Sequence, residues 1–362
     1  MQFGVYSVAD VTRDPVTGMV PSEAERIDAV SRIARMTEEV GLDVFALGER
    51  HLTDHVSSSP TLLLASIAAH THKICLSTAV TIITTNDPVR LAEEYSTLQH
   101  ICQGRLDVVL GPPEAFLGHH HPEGSNPLCV ALGLENYNLL YRLWREEQVD
   151  WEGEFRAPLV DCTTTPRPLD GVPPYVWHST VHRPVIADEA ASYGDGLFLN
   201  TLAMTPHEAA DLIDHYRSGF EDYGSGRAAE GIVGLGGEVF LAENSQDARE
   251  AFRPYFNASV AHQQGMSLED ALATTALAVG SPQEVIERML ELGEIYGDYQ
   301  RQLFWIDRAG LPLSAVMNQL ELLAAEVVPV LRREFESRRQ PGTPGQPPSH
   351  ADLVQKSNVR VC

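Results

Sequence analysis

The chain has 362 residues, of which 43% are hydrophobic and 21% are charged. This apolar content is enough to bury a large core and excludes a disordered chain. The 50 Asp and Glu outnumber the 26 Lys and Arg and give a formal net charge of −24. Because nucleic acids and anionic membranes bind basic surfaces, we predict neither of them as a partner.

Five cysteines are spread along the chain without any C-x-x-C pair. An odd number at such wide spacing predicts neither a disulfide framework nor a zinc pair. The N-terminus lacks a charged stretch followed by an apolar one, and no apolar run approaches the roughly 18 residues that span a bilayer. We therefore expect a soluble, cytoplasmic protein.

The first third of the chain alternates short apolar runs with longer segments of helical periodicity. A capping box opens the first helix at Ser22, and Pro60 and Pro88 stand at the first positions of the next two. Predicted strands cover residues 3–8, 42–47, 74–83 and 106–110, and predicted helices cover about 22–40, 59–68 and 87–100.

The same alternation continues after a less regular middle. A long helix is predicted at about 131–147, before a polar, Pro-rich surface excursion with short strands of its own at 151–174. Further predicted strands cover 173–178, 196–199, 232–241 and 302–306. A helix is predicted at 183–193, two more begin at about 205 and 281, and a closing helix runs through Val316 to Leu331. Because the Pro- and Gly-rich stretch 340–348 cannot pack, we predict one domain over 1–337 and a disordered tail over 338–362.

Eight strands that are apolar throughout, each followed by a helix, are typical of a closed parallel barrel. A doubly wound open sheet shows the same alternation, but it carries a Gly-rich fingerprint after its first strand, which this chain lacks. We therefore predict an α/β fold, a TIM (β/α)8 barrel with loop insertions at its carboxyl-end face. The functional site of such a barrel lies at the carboxyl ends of the strands.

Two strand ends carry candidate residues for chemistry. Glu49, Arg50 and His51 follow the second strand, where they suit acid/base chemistry or an anionic substrate, or else form an internal ion pair beside a solvent-facing histidine. Thr78 and the small residues after it end the third strand. They allow a flat ring to approach the backbone, although threonine is also an ordinary strand residue.

Two further loops contain polar side chains. After the fifth strand, Ser179, Thr180 and Arg183 can present hydroxyls and a guanidinium to an anion at a helix N-terminus, or can simply cap that helix. After the fourth strand, His119–His121 invite a metal interpretation. Neighbours in an extended loop point in different directions, however, and no histidine spacing fixes a coordination face, so we predict no metal site.

Several blocks in sequence order resemble one known family. They are residues 41–51, 59–80, 86–105, 190–196, 279–284 and 310–312. Together they resemble the bacterial-luciferase-like flavin monooxygenases, which are TIM barrels, and they are nearer to the FMN-using than to the deazaflavin-using branch. The resemblance implies a protein that takes reduced FMN by diffusion from a separate flavin reductase, reacts it with oxygen at ring carbon C4a, and oxygenates a small organic substrate.

The resemblance also assigns roles to individual residues. Thr78, Ala79 and Val80 would lie along the isoalloxazine, with a cis peptide bond between Ala79 and Val80, and Ser179 and Thr180 would lie near the flavin phosphate. Glu49, Arg50 and His51 would be the catalytic group. A homodimer or heterodimer is implied, through helices at about 60–100.

Two positions depart from the family pattern. Arg50 stands where the family usually has a histidine, and because arginine stays protonated it cannot act as a base, although it can hold an anion, while His51 remains as a proton carrier. Gly111, Pro112 and Pro113 stand where the family usually has Gly-Arg-Gly, whose arginine reaches the phosphate. The sequence thus leaves two hypotheses: an FMN-dependent monooxygenase with an altered site, or a partner subunit on the same barrel that is non-catalytic and binds flavin weakly or not at all.

Overall fold

Strands and helices alternate through residues 1–111, 127–308 and 310–360, which are the residues that this computed structural model describes. The strands are β1 (Gln2–Ser7), β2 (Val44–Leu47), β3 (Cys75–Thr78), β4 (Thr81–Ile82), β5 (Asp107–Gly111), β6 (Val149–Trp151), β7 (Leu159–Cys162), β8 (Tyr175–Thr180), β9 (Gly196–Asn200), β10 (Val233–Leu241), β11 (Ala278–Gly280) and β12 (Arg301–Trp305). The helices are α1 (Glu23–Glu39), α2 (Pro60–Ala68), α3 (Pro88–Ile101), α4 (Pro127–Arg145), α5 (Pro184–Tyr193), α6 (Pro206–Asp222), α7 (Ser245–Asn257), α8 (Val260–Gln263), α9 (Leu268–Thr274), α10 (Pro282–Tyr296), α11 (Leu313–Leu322), α12 (Val328–Arg338) and α13 (His350–Arg360).

The parallel strands form a closed ring. Their order is β3, β2, β1, β12, β10, β9, β8, β5 and β4, and β3 and β4 are two pieces of the single strand predicted at 74–83. Counted so, eight parallel strands make the ring, and the predicted TIM barrel is confirmed. The helices pack around it, and α1 shows how: its Val30, Ile33 and Ala34 are buried on one face, as the helical period requires.

The ring closes between β3 and β5. Leu76 pairs with Leu106 in a parallel bridge, and two positions further along a side chain continues the closure. The hydroxyl of Thr78 donates to the carbonyl of Val109 and accepts from its amide, each at 2.9 Å. This hydroxyl therefore replaces the backbone ladder at the point where β3 stops.

Several elements differ from the sequence prediction. An additional parallel strand, β11, pairs with β10 outside the ring, and α7, α8 and α9 precede it in a segment to which the sequence prediction gave no elements. Long apolar periodicity was the signal for the ring, and these elements lack it. The surface excursion does carry short strands, as predicted: β7 lies within it and pairs antiparallel with β6 at its start.

One long helix is apolar enough to need comment. Helices α11 and α12 join through a π-helical turn at Leu323–Val327, and by length and composition alone the run Leu313–Arg338 could cross a membrane. Its inner face is accounted for by packing in this fold. Leu320, Leu323 and Leu331 are completely buried in the main core.

Within the range 338–362, where the sequence analysis predicts a disordered tail, the structure describes α13 and its contacts. Ser349 caps α13: its hydroxyl accepts from the amide of Asp352 at 3.3 Å, and the Asp352 carboxylate accepts from the amide of Ser349 at 2.9 Å. The Pro-rich composition just before this capping box obscured the helix signal. His350 lies 3.1 Å from the carboxylate of Asp170, and Leu353 packs against the apolar cluster inside the barrel. The side-chain amide of Gln300, just before β12, donates to the carbonyl of Pro344 in the segment that leads to α13. This part of the chain therefore covers the amino-terminal end of the barrel.

Replacing Leu353 by Ala should lower the free energy of unfolding by about 1–2 kcal/mol, because a partly buried leucine loses its apolar contacts. Urea denaturation measures this change. Gln355→Ala, on the exposed face of the same helix, is the matched control and should leave stability within about 0.5 kcal/mol. Equal stability of the two variants would show that α13 is not docked on the barrel.

Replacing Thr78 by Val should cost about 1–3 kcal/mol of folding free energy, because it leaves buried backbone groups of Val109 without their partner. Thr97→Val is the control, since the Thr97 hydroxyl bonds within an exposed turn of α3. Thermal or urea unfolding of both variants checks the difference. A Thr78→Val protein as stable as the control would contradict the role given to this hydroxyl in closing the ring.

Candidate active site

A cavity of about 250 Å³ opens at the carboxyl ends of the strands, the end at which the functional sites of these barrels lie. Residues from the ends of β1, β5, β8, β9 and β10 line it. Six of the eight predicted site residues also line it: Arg50, His51, Ala79, Val80, Ser179 and Thr180. The fold thus brings together segments that are more than a hundred residues apart in the chain.

The other two predicted residues, Glu49 and Thr78, lie behind the cavity wall. Thr78 is completely buried, and its hydroxyl is used in the β3 to β5 closure. Glu49 is 2% exposed. The sequence placed both residues near the site, but at a strand end it does not show which way each side chain points.

Glu49 holds His51 in place. The Nε2 atom of His51 lies 2.7 Å from Oε1 of Glu49. The carboxylate also accepts hydrogen bonds from the amide of Ile82 at 2.9 Å, from the Thr85 hydroxyl at 3.1 Å and from the Asn86 side chain at 3.1 Å. A buried carboxylate that accepts this many hydrogen bonds is held in one position. Of the alternatives left by the sequence, a solvent-facing histidine beside an internal ion pair does not fit this arrangement, because Glu49 bonds to His51 itself.

The chain turns sharply between β3 and β4. The peptide bond between Ala79 and Val80 is cis, as the family resemblance implied. Two backbone hydrogen bonds hold this turn against the end of β2. The amide of Ala79 donates to the carbonyl of Leu47 at 3.0 Å, and the amide of Glu49 donates to the carbonyl of Val80 at 2.8 Å. A Cβ at Gly48 would lie 2.7 Å from the Ala79 carbonyl oxygen. Only glycine allows this approach, and the turn forms a small apolar shelf at the cavity wall.

One pole of the cavity is suited to an anion. Ser179 and Thr180 end β8, and Arg183 precedes the first turn of α5. The Thr180 hydroxyl accepts from the amide of Arg183 at 3.1 Å, while α5 has no side-chain cap. The Nη1 atom of Arg183 is buried and has no hydrogen-bond partner in the described part of the chain. Ordinary helix capping therefore does not account for these residues, and a buried guanidinium nitrogen without an acceptor favours an anionic ligand.

Other parts of the cavity wall contain residues that the sequence analysis missed. Tyr6 and Phe198 line the cavity, with Gly236 between β9 and β12. The Tyr6 hydroxyl is buried without a partner among the described residues, and burial, helped by the nearby Glu238 carboxylate, raises the tyrosine pKa. Tyr6 ends the first strand, so the rule that sites lie at the carboxyl ends of strands could have identified it.

Pro112, Pro113 and His119–His121, which the sequence analysis singled out, lie outside the described ranges. Within the described ranges, no group of three or more His, Cys, Asp or Glu side chains is arranged to hold a metal ion. The dimer expected through residues 60–100 stays a prediction, although Leu62 on α2 presents a side chain that is 72% exposed.

The chain is similar to known oxidoreductases over most of its length. The flavin-dependent trigonelline monooxygenase, oxygenase component, of Acinetobacter baylyi is 23% identical over 94% of this chain and 98% of the relative. An F420-dependent glucose-6-phosphate dehydrogenase of Kineococcus radiotolerans is 29% identical over 70% of this chain and 76% of the relative.

The fold comparison agrees with these relatives. The crystal structure of the monooxygenase RslO1 from Streptomyces bottropensis superimposes with a TM-score of 0.77 at 25% identity, and covers 91% of this chain and 99% of that one. The family model for luciferase-like monooxygenases matches residues 1–299. The chain therefore belongs to the luciferase-like monooxygenase family, which has both flavin-dependent and F420-dependent members.

Proposed function

We propose that this chain is an FMN-dependent monooxygenase that takes reduced flavin from a separate reductase and acts on a small organic substrate. The observation that carries the proposal is a single cavity with three parts: an anion-binding pole, an apolar shelf, and a histidine fixed by a buried carboxylate. The flavin-dependent relative, an oxygenase component, supports the reductase partner.

The residues of the cavity fit the parts of a flavin. Ser179, Thr180 and the unpartnered Nη1 of Arg183 would hold the phosphate. The family arginine that is missing after the fourth strand thus has a substitute in Arg183, directly before α5. Ala79 and Val80 would support the ring, since the cis turn presents backbone and small side chains rather than bulky ones.

When bound, reduced flavin supplies the electrons that activate O2 for transfer of one oxygen atom to the substrate. The chain itself supplies orientation and proton transfer. His51, whose Nε2 is held by Glu49, is the side chain through which this site would take or give a proton. Glu49 is assigned an orienting role, and Arg50 supplies a permanent positive charge at the cavity wall.

The choice of FMN over F420 rests on the extent of similarity. The flavin-dependent relative aligns over nearly its full length, whereas the F420-dependent one aligns over about three quarters of its own. Both cofactors carry a tricyclic ring and a phosphate, so the same cavity would serve either. Titration with both cofactors distinguishes them.

Arg183→Gln should weaken FMN binding by about 10- to 150-fold, because the phosphate loses a charged hydrogen bond worth roughly 1.5–3 kcal/mol. Binding of riboflavin, which has the same ring without the phosphate, should change by less than about twofold. Quenching of flavin fluorescence measures both affinities. Arg253→Gln is the control, since Arg253 pairs with Glu269 on the exposed surface.

The same titration decides between the two hypotheses from the sequence. A wild-type chain that binds neither FMN nor F420 at about 100 µM, well above micromolar affinity, would contradict the proposed activity and support a flavin-free subunit. Saturable binding of F420 without binding of FMN would identify F420 as the cofactor instead of FMN. If Arg183→Gln lowered the affinities for FMN and riboflavin equally, Arg183 would not be a ligand of the phosphate.

His51→Gln should lower the turnover number by at least about 100-fold, in the range expected for loss of a general acid or base, and leave FMN affinity unchanged. Trigonelline, a small aromatic carboxylate, is the first substrate to test, with related carboxylates as the panel. His55→Gln is the matched control, because His55 lies in the same loop but does not line the cavity. Unchanged turnover in His51→Gln would contradict a role of His51 in proton transfer.

A further inference from the structure

A buried polar cluster lies behind the anion pole, outside the cavity. His178 stands on β8 directly before Ser179 and is 2% exposed. Its Nδ1 lies 3.1 Å from Oε2 of Glu189, and its Nε2 lies 3.1 Å from Oδ2 of Asp195. Two carboxylates that face the two ring nitrogens can both be satisfied only if both nitrogens carry a proton. The geometry therefore describes an imidazolium.

The surroundings of the ring support this charge state. Tyr137 of α4 packs edge-on against the imidazole, with ring centroids 4.4 Å apart, and donates its hydroxyl to Asp195. Burial alone would lower the pKa of His178, but the carboxylates of Glu189 and Asp195 outweigh it and raise the pKa to about 9. The titratable groups that face the cluster from the surrounding elements are Tyr137 and Tyr141 of α4, Glu189 and Tyr193 of α5, Asp195 after α5, Tyr175 of β8 and Tyr216 of α6.

The cluster joins the parts that carry the anion pole. Glu189 lies in the middle of α5 and Asp195 lies in the turn after it, so His178 ties β8 to the helix at two points. The next residues along β8 are Ser179 and Thr180, and Arg183 precedes α5. The position of Arg183 relative to the two hydroxyls thus depends on how α5 is held against β8.

We propose that His178 is a positioning residue: held between Glu189 and Asp195, it fixes α5 against β8 and so keeps Ser179, Thr180 and Arg183 in register for the cofactor phosphate. This inference rests on the proposed function. It adds that the phosphate affinity of this chain depends on a charged group that the phosphate never touches.

The test measures the ratio of the riboflavin dissociation constant to the FMN dissociation constant, which isolates the contribution of the phosphate. His178→Gln and Glu189→Gln should each lower this ratio by about tenfold, the lower end of the cost of one misplaced charged hydrogen bond. His215→Gln is the matched control, because His215 also bonds a carboxylate of α5, Asp188, at 2.9 Å but on the exposed surface. A general loss of structure would weaken both flavins equally and leave the ratio unchanged.

The wild-type chain provides a second measurement that needs no substitution. Because its pKa is raised from 6.5 to about 9, His178 stays charged through neutral pH and loses its proton as the pH rises through about 9. The ratio should therefore be constant from about pH 7 to 8 and fall toward pH 10. Both flavins carry the same ring, so ionisation of that ring cancels in the ratio.

Each result has a definite meaning. A ratio that is flat to pH 10, or equal in His178→Gln and the wild type, overturns the role of His178 while the proposed function stands. A wild-type chain that binds neither flavin overturns the proposed function and this inference together. A pH-dependent ratio that becomes flat in His178→Gln and stays pH-dependent in His215→Gln confirms the positioning role.

Discussion

The barrel closes between β3 and β5 through two hydrogen bonds of the Thr78 side chain with the backbone of Val109, next to the bridge between Leu76 and Leu106. β3 stops at Thr78 because the chain then turns toward the cavity through the cis bond between Ala79 and Val80. A regular ladder cannot continue through such a turn, and the threonine hydroxyl takes its place. The shelf that lines the cavity and the side-chain closure of the ring at Thr78 are therefore two consequences of the same interruption of the strand.

Charge is divided sharply between the surface and the cavity. The chain as a whole has a formal net charge of −24, yet the cavity presents Arg50, His51 and Arg183. Local guanidinium and hydroxyl donors decide binding at short range, whereas the net charge acts through screened, longer-range fields. Buried carboxylates outside the cavity orient its residues. Glu49 bonds to His51, and Glu189 and Asp195 bond to His178. The site thus separates residues that would meet ligands from residues that orient them.

The sequence predicted the ring of strands because long apolar runs and capped helices carry a strong periodic signal. It also predicted that His51, Ala79 and Ser179 would converge, since parallel strands end at one face. It could not predict that Glu49 and Thr78 point away from the cavity, because side-chain direction at a strand end follows from tertiary contacts. His178 was missed for a related reason: nothing in the run Tyr175–Thr180 distinguishes it from the polar Ser179 and Thr180 beside it. Its two carboxylate partners come from positions that only the fold brings near.

The most direct measurement is a crystal structure of the chain with FMN bound. The predicted result places the phosphate within hydrogen-bond distance of Arg183 Nη1 and the hydroxyls of Ser179 and Thr180, with the ring against Ala79 and Val80. A cavity that stays empty at millimolar FMN, or a phosphate bound away from α5, would contradict the assignment of this cavity to a flavin.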